Sequence, residues 1–272
     1  MLVKMGDLLS DAQKSGYAVG LFNTIDTHAL EAAISAAEKL RSPIILGTAE
    51  VLLPYGELQL IGPAMIHAAE RASVPVAVHY DHGLTVERCR EALELGFTGI
   101  MFDGSAGDEA ENIRLTREVV DMAHKMGASV EGEIGHVGTI GEDEESPYTT
   151  PQEAVDFVQK TGVDALAVAI GTAHGVYKTK PKLDIERLKE IRAALDTPLV
   201  LHGGSGLTDE DFRNTIRGGI AKINIFTDIY IAGKKALQEC DGFYLEMRAE
   251  AVKAMQAVVE EKLRLFGSAG KA

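Results

Sequence analysis

VPVAVHYDHG, Val74 to Gly83, starts as a buried strand and ends as something else. The apolar run VPVAV is what a strand inside a sheet requires. His79, Asp81 and His82 follow at once, and a buried strand needs none of them. Ionisable groups clustered where an apolar strand stops point to an acid or base, a metal ligand, or both.

Seven further apolar runs resemble this one. The strand candidates are 17–23, 43–48, 75–79, 99–102, 129–133, 165–170, 198–202 and 221–225. Between them lie segments such as THALEAAISAAEKL, VERCREALELG, AENIRLTREVVDMAHKMG, PQEAVDFVQKTG and LDIERLKEIRAAL. In these, apolar residues recur every three or four positions, which is the helical period. Gly96, Gly127 and Gly162 close three of them, as left-handed caps do. Strands alternating with helices predict a parallel sheet. Eight units within about 250 residues favour a closed (β/α)8 TIM barrel over an open doubly wound sheet. A Rossmann-like sheet is the alternative, but no G-x-G-x-x-G follows the first strand. Gly242 to Phe266 reads as an extra C-terminal helix, and the GSAGKA tail after it as frayed. Residues 1–272 are expected to form one α/β domain.

The chain has 272 residues and a net charge of −14, from 27 Lys plus Arg against 41 Asp plus Glu. Such an acid excess lacks the basic footprint of a nucleic-acid binder and opposes binding to anionic lipid. A phosphorylated substrate would need a local set of donors. Cys89 and Cys240 lie far apart in helical patterns, which suits a reducing cytoplasm and gives neither a disulfide framework nor a zinc ribbon. MLVKMGDLLSDAQK has no apolar signal core, and no run reaches the roughly 18 apolar residues of a membrane span. The expectation is a cytoplasmic protein without a membrane or nucleic-acid partner.

In a barrel of this kind the loops after the strands build the active site. The strand ends carry Asn23, His79, Asp81, His82, Asp103, Glu131, Glu133, His174, His202, Asn224, Thr227 and Asp228. His82, His174 and His202 come from different strands but one rim. Together they could hold Zn2+ and leave a position open for substrate. The plainer reading, three hydrogen-bonded histidines, is left open by spacing alone. His79 reads as a core or supporting histidine. GTAHG and HGGSG place glycines and exposed N–H groups beside two of these histidines. Such loops admit a phosphate, although tight turns also favour glycine.

VHYDHG, MFDGS, VEGEIGHVG, VDALAVAIGTAHGVY, LVLHGGSG and AKINIFTD, in this order, resemble the class II (zinc-dependent) fructose-bisphosphate and tagatose-bisphosphate aldolases over essentially the whole chain. The resemblance implies Asp81 as the proton donor or acceptor at the scissile bond, and His82, His174 and His202 as zinc ligands. It implies Glu133 as an alternative metal contact and Asn23 as a substrate-side group. Gly175, Gly203, Gly204 and Ser205, with Asn224, Ile225, Phe226 and Thr227, would hold the dihydroxyacetone phosphate part. Arg248 resembles an arginine that reaches a neighbouring subunit's substrate, which implies a homodimer or homotetramer. A monovalent cation beside the zinc also belongs to this expectation.

Retro-aldol cleavage fits these parts. The C4 hydroxyl must lose a proton, and a carboxylate such as Asp81 can take it. A second group must serve C3, and Glu142 in GTIGEDEESPYTT is the candidate, though charged loops are commonly plain surface. A Schiff-base route needs a lysine inside the barrel; Lys222, beside strand 8, has no supporting motif and is discounted. LGTAEVL after strand 2, the long GTIGED loop and Phe226 depart from the family pattern around the aldehyde half. Fructose 1,6-bisphosphate and tagatose 1,6-bisphosphate are the leading substrates. Other ketose 1-phosphates, including sugar-acid and sulfosugar derivatives, are the alternative. A non-catalytic barrel subunit and a metal-dependent hydrolase compete from other classes.

Overall fold

The computed structural model describes residues 1–137, 148–175, 177 and 181–272. Its strands are β1 (Val19–Asn23), β2 (Ile44–Ala49), β3 (Val76–Gly83), β4 (Gly99–Phe102), β5 (Ser129–Ile134), β6 (Ala165–Val168), β7 (Leu199–Leu201) and β8 (Ile220–Ile225). Its helices are α1 (Met5–Ser15), α2 (Thr27–Leu40), α3 (Leu58–Arg71), α4 (Val86–Glu94), α5 (Glu109–Lys125), α6 (Pro151–Thr161), α7 (Ile185–Ala194), α8 (Asp209–Arg217), α9 (Thr227–Glu239) and α10 (Tyr244–Leu265). The strands pair in chain order, all parallel, and β8 returns to β1. The protein is a closed (β/α)8 barrel with an extra C-terminal helix, as the strand count predicts.

The apolar runs form strands because both of their faces are covered. Phe22, Leu46, Val78, Ile100, Val130 and Ile223 pack outward against the helices. Leu21, Ile45, Ala77, Ala167 and Val200 belong to a separate inner cluster. Successive residues along a strand therefore serve two cores. The inner cluster is completed by Met5, Leu8, Leu9 and Ala12 of α1, spaced along one helix face. α1 reaches β1, β3, β5 and β8, and its Gly6 N–H donates to Ser129 Oγ at the start of β5. It closes the end of the barrel where the strands begin. Chemistry is left to the opposite rim.

Gly162 is the left-handed cap of α6, with φ 75°, and Gly96 and Gly127 follow α4 and α5 with φ 97° and 81°. The tail corrects its expectation. Ser268 is fully buried and shares a 2.8 Å hydrogen bond with Ser42. Gly270 and Ala272 donate backbone N–H groups to Leu40 and Arg41. The final residues are thus tied to the end of α2 by backbone bonds that residue type does not signal. Cys89 and Cys240 are free thiols. Among the described residues no helix is long and apolar enough to cross a membrane.

Candidate active site at the C-terminal rim

Strand alternation should send Asp81 inward and His82 outward. Both reach the cavity because β3 is irregular there. Its pairing with β4 runs from Tyr80↔Ile100 to Gly83↔Phe102, so β3 spends one extra residue. His82 absorbs the bulge in the left-handed region, with φ 46°. That region costs a non-glycine residue about 1 kcal/mol or more, and such strain gathers at functional sites. A Cβ on the next residue, Gly83, would lie 2.7 Å from Met101 O and from Cys89 Sγ. This is how one strand end presents an acid and an imidazole side by side.

The three rim histidines stand together. Ring centroids are 4.5 Å apart for His82 and His202, 4.9 Å for His82 and His174, and 5.8 Å for His174 and His202. Each ring has one nitrogen tied to an acceptor. His82 Nδ1 lies 2.7 Å from Asp103 Oδ2, His174 Nδ1 lies 3.0 Å from Val137 O, and His202 Nε2 lies 2.8 Å from Glu131 Oε1. A carbonyl or carboxylate only accepts, so those nitrogens carry the protons. The other nitrogens, His82 Nε2, His202 Nδ1 and His174 Nε2, are left for one shared site. One ligand atom from each histidine lies within 4.8 Å of the others, a group that could hold a metal ion. Histidines oriented by a carboxylate or carbonyl on the far nitrogen are the usual support of a metal centre.

The electrostatics of the site are steep. Burial disfavours a charged His82, but Asp81, Asp103 and Glu133 outweigh it and raise the group to about 10. The protonated ring then donates Nε2–H to His202 Nδ1 across 2.7 Å. Burial, with His82 and His202 nearby, pushes His174 down to about 3. Asp81 is buried too, yet His82, Lys222 and His202 hold it well below the usual carboxylate range. It accepts from the Asn23 amide at 3.1 Å and from the Asn224 amide at 3.1 and 3.2 Å, which fixes its plane. Glu133 is raised by burial and by Asp103. Asp81 is an oriented carboxylate that stays ionised at neutral pH.

Above these groups lies a cavity of about 430 Å³. Asp81, His82 and His174 line one side of it, with Gly203, Gly204 and Ser205 on another. Gly203 has φ 65°, and a Cβ there would sit 2.4 Å from Ala173 O. Tyr177 accepts from Ala173 N–H and donates to Gly203 O, both at 2.9 Å, clamping the loops after β6 and β7 together. Ser205 Oγ accepts from Phe226 N–H at 3.1 Å, which ties the β7 loop to the start of α9. Backbone donors and a helix N-terminus thus meet where barrels of this kind hold phosphate.

Set beside this geometry, the comparisons decide the family. A family model described as class-II fructose-bisphosphate aldolase matches residues 3–271. The chain belongs to that family. Its relatives include the YdjI protein of Escherichia coli K12, 42% identical over 97% of this chain and 96% of the relative. A crystal structure titled as the YdjI aldolase covers all of both chains with a TM-score of 0.93 and 40% identity. A protein of Shouchella clausii named 6-phospho-5-dehydro-2-deoxy-D-gluconate aldolase is 41% identical over 99% of this chain and 96% of its own length. The protein is therefore a lyase, which sets aside the non-catalytic barrel and the hydrolase.

In this aldolase Asn23, Gly175, Asn224, Phe226 and Thr227 line the cavity with the groups already described. His202 is fully buried and reaches the site only through its contacts with His82 and His174. Glu133 accepts from Val137 N–H at 2.9 Å and lies 3.7 Å from His202 Nδ1. Ile225 turns its side chain into the outer core, leaving only its backbone for a ligand. Arg248 of α10 stands apart, at a groove lined by α2 and α3, paired with Glu31 at 2.6 Å. Glu142 and the GTIGED loop lie outside the described residues. Two of the departures from the family pattern, the LGTAEVL segment and Phe226, adjoin the cavity. Val51 and Leu52 after β2, Leu84 after β3 and Phe226 after β8 give it an apolar wall.

Three supporting groups do not stand out in the sequence: Asp103 and Glu131 are polar residues at strand ends like several others, and Lys222 has no motif around it. Counting back two residues from Glu133 and from Asn224 gives Glu131 and Lys222 on the same inward column. Lys222 lies inside β8, fully buried and 2.8 Å from Glu131. Buried and paired with Glu131, it is not free to serve as a Schiff-base lysine.

Proposed function

We propose that this aldolase is zinc-dependent and reversibly cleaves a ketose 1-phosphate to dihydroxyacetone phosphate and an aldehyde. The observation that carries the reading is the histidine trio, each ring held by an acceptor on its far side so that the near nitrogens converge. Three imidazoles, once His82 has given up its proton, are a donor set that fits catalytic zinc. His82, His174 and His202 would hold it, with Glu133 as the alternative contact. When bound, the metal supplies positive charge that stabilises the enediolate left by carbon–carbon cleavage.

The protein's own residues do the rest. Asp81, kept ionised and held by Asn23 and Asn224, takes the C4 hydroxyl proton as the C3–C4 bond breaks, and returns it in the aldol direction. Gly175, Gly203, Gly204, Ser205 and the segment Asn224–Thr227 bind the phosphate of the three-carbon half. Glu142 is carried over as the group that serves C3. The proposal includes a single cytoplasmic domain acting as a homodimer or homotetramer.

Fructose 1,6-bisphosphate and tagatose 1,6-bisphosphate are the first substrates to test. The apolar wall of Val51, Leu52, Leu84 and Phe226, together with the pairing of Arg248 outside the cavity, favours a second reading. In it the aldehyde half carries no phosphate, as in a sugar-acid ketose 1-phosphate. A panel of ketose 1-phosphates with and without a distal phosphate separates the two, assayed for triose phosphate in sodium and potassium buffers. Arg248→Ala is expected to raise KM for bisphosphates and to leave ketose monophosphates unaffected. A change confined to kcat would remove Arg248 from the distal-phosphate role.

Zinc uptake by the stripped enzyme carries a sign that can be checked. His82, raised to about 10, keeps its proton through the neutral range, and a ligand nitrogen must lose it. Zinc affinity should rise by about tenfold per pH unit between roughly pH 6.5 and 8.5, with one proton released per ion. Chelator competition at several pH values measures this. A flat profile would mean that His82 is neutral before zinc arrives.

A further inference from the structure

Between the apolar plug at one end of the barrel and the cavity at the other lies a charged layer with no access to solvent. His79, Glu131 and Lys222 are each fully buried. β5 and β8 are separated by two strands, so Lys222 meets Glu131 only across the barrel interior. Its Nζ lies 2.8 Å from Glu131 Oε2. The other carboxylate oxygen lies 2.8 Å from His202 Nε2. His79 fills the remaining space, with Nε2 3.8 Å from Asp81 and 3.9 Å from Glu131.

Packing does not require this layer. The layer beneath it is built from Leu21, Ile45, Ala77 and Val200, and a buried ion pair is commonly no more stable than apolar residues of the same size. His79, Asp81 and Glu131 also form a group that could hold a metal ion. In that position, however, the cation facing Glu131 is the ammonium of Lys222. The chain ammonium–carboxylate–imidazole instead leads upward to the rim.

We propose that Lys222 is a positioning residue: through the Glu131 carboxylate it locks His202 with Nε2 protonated and Nδ1 presented to the metal. This rests on the zinc reading given above. Lys222 balances the charge of Glu131 and holds the carboxylate where it accepts the Nε2–H of His202. Glu131 in turn leaves His202 one available nitrogen. Without the lysine, an unbalanced buried carboxylate is free to reorient, and the imidazole loses its fixed acceptor.

The test compares zinc affinity, by chelator competition, in the wild-type enzyme, Lys222→Met and the double variant Lys222→Met/Glu131→Gln. Thermal melting of the zinc-stripped proteins monitors folding. Lys222→Met is expected to bind zinc about 10- to 100-fold more weakly, the usual effect of losing a group that supports a ligand. The double variant should recover most of that loss, because a glutamine carbonyl still accepts from His202 and no unpaired charge remains. If Lys222→Met does not fold, a folded double variant with affinity near that of the wild type supports the assignment. Wild-type affinity in Lys222→Met, or a folded double variant that binds zinc weakly, overturns it. Absence of zinc binding by the wild type would sink the metal reading itself, a result distinct from failure of the lysine's role.

Discussion

Asp81→Ala is expected to retain zinc at the level of the unmodified enzyme while kcat falls by about 10²- to 10⁴-fold, the usual contribution of a positioned acid–base group. The geometry separates these two properties. Asp81 supplies no nitrogen to the histidine trio, and the acceptors that orient His82, His174 and His202 are Asp103, Val137 O and Glu131. Its removal also weakens the field that keeps a proton on His82, so zinc uptake is not impaired from that side. What disappears is the carboxylate held ready by Asn23 and Asn224. Measured zinc content with steady-state kinetics decides it. Turnover close to that of the parent enzyme would remove Asp81 from the proton transfer.

His202→Ala should lose both metal and turnover. The side chain is fully buried and is the end of the Lys222–Glu131 chain. Truncation removes one of three converging nitrogens and also leaves Glu131 without its imidazole donor. Because loss of a supporting group alone costs about 10- to 100-fold in metal affinity, loss of the ligand should exceed 100-fold. Activity should fall to the background seen with EDTA. A stripped His202→Ala protein that takes up zinc as tightly as the parent would contradict the trio. The contrast between the two alanine variants is more informative than either alone.

Much of the barrel was legible because its strands are covered on both faces and so read as unbroken apolar runs. The helices that cover them are amphipathic and show the longer period. Nothing in the N-terminal sequence beyond its lack of a signal core marks Met5, Leu8, Leu9 and Ala12 of α1 as a plug. The tail looked frayed because its anchoring uses backbone groups of Gly270 and Ala272. At the site, Asp81 and the rim histidines stood out because ionisable residues at strand ends contrast with their surroundings. How Asp81 and His82 both face inward was not legible. It depends on one extra residue in β3 and on a positive φ at His82. Lys222 falls on the inward column by counting back from Asn224, but its partner Glu131 comes from β5, with two strands between them. Only the finished barrel brings it opposite Glu131.

The most direct measurement is a zinc titration into EDTA-stripped enzyme with triose phosphate release followed on a ketose 1-phosphate panel. The account predicts no release without metal, and a rise with at least one panel substrate that saturates near one zinc per chain. Release that persists after complete removal of metal would contradict it, as would zinc bound at one per chain with no triose phosphate from any substrate.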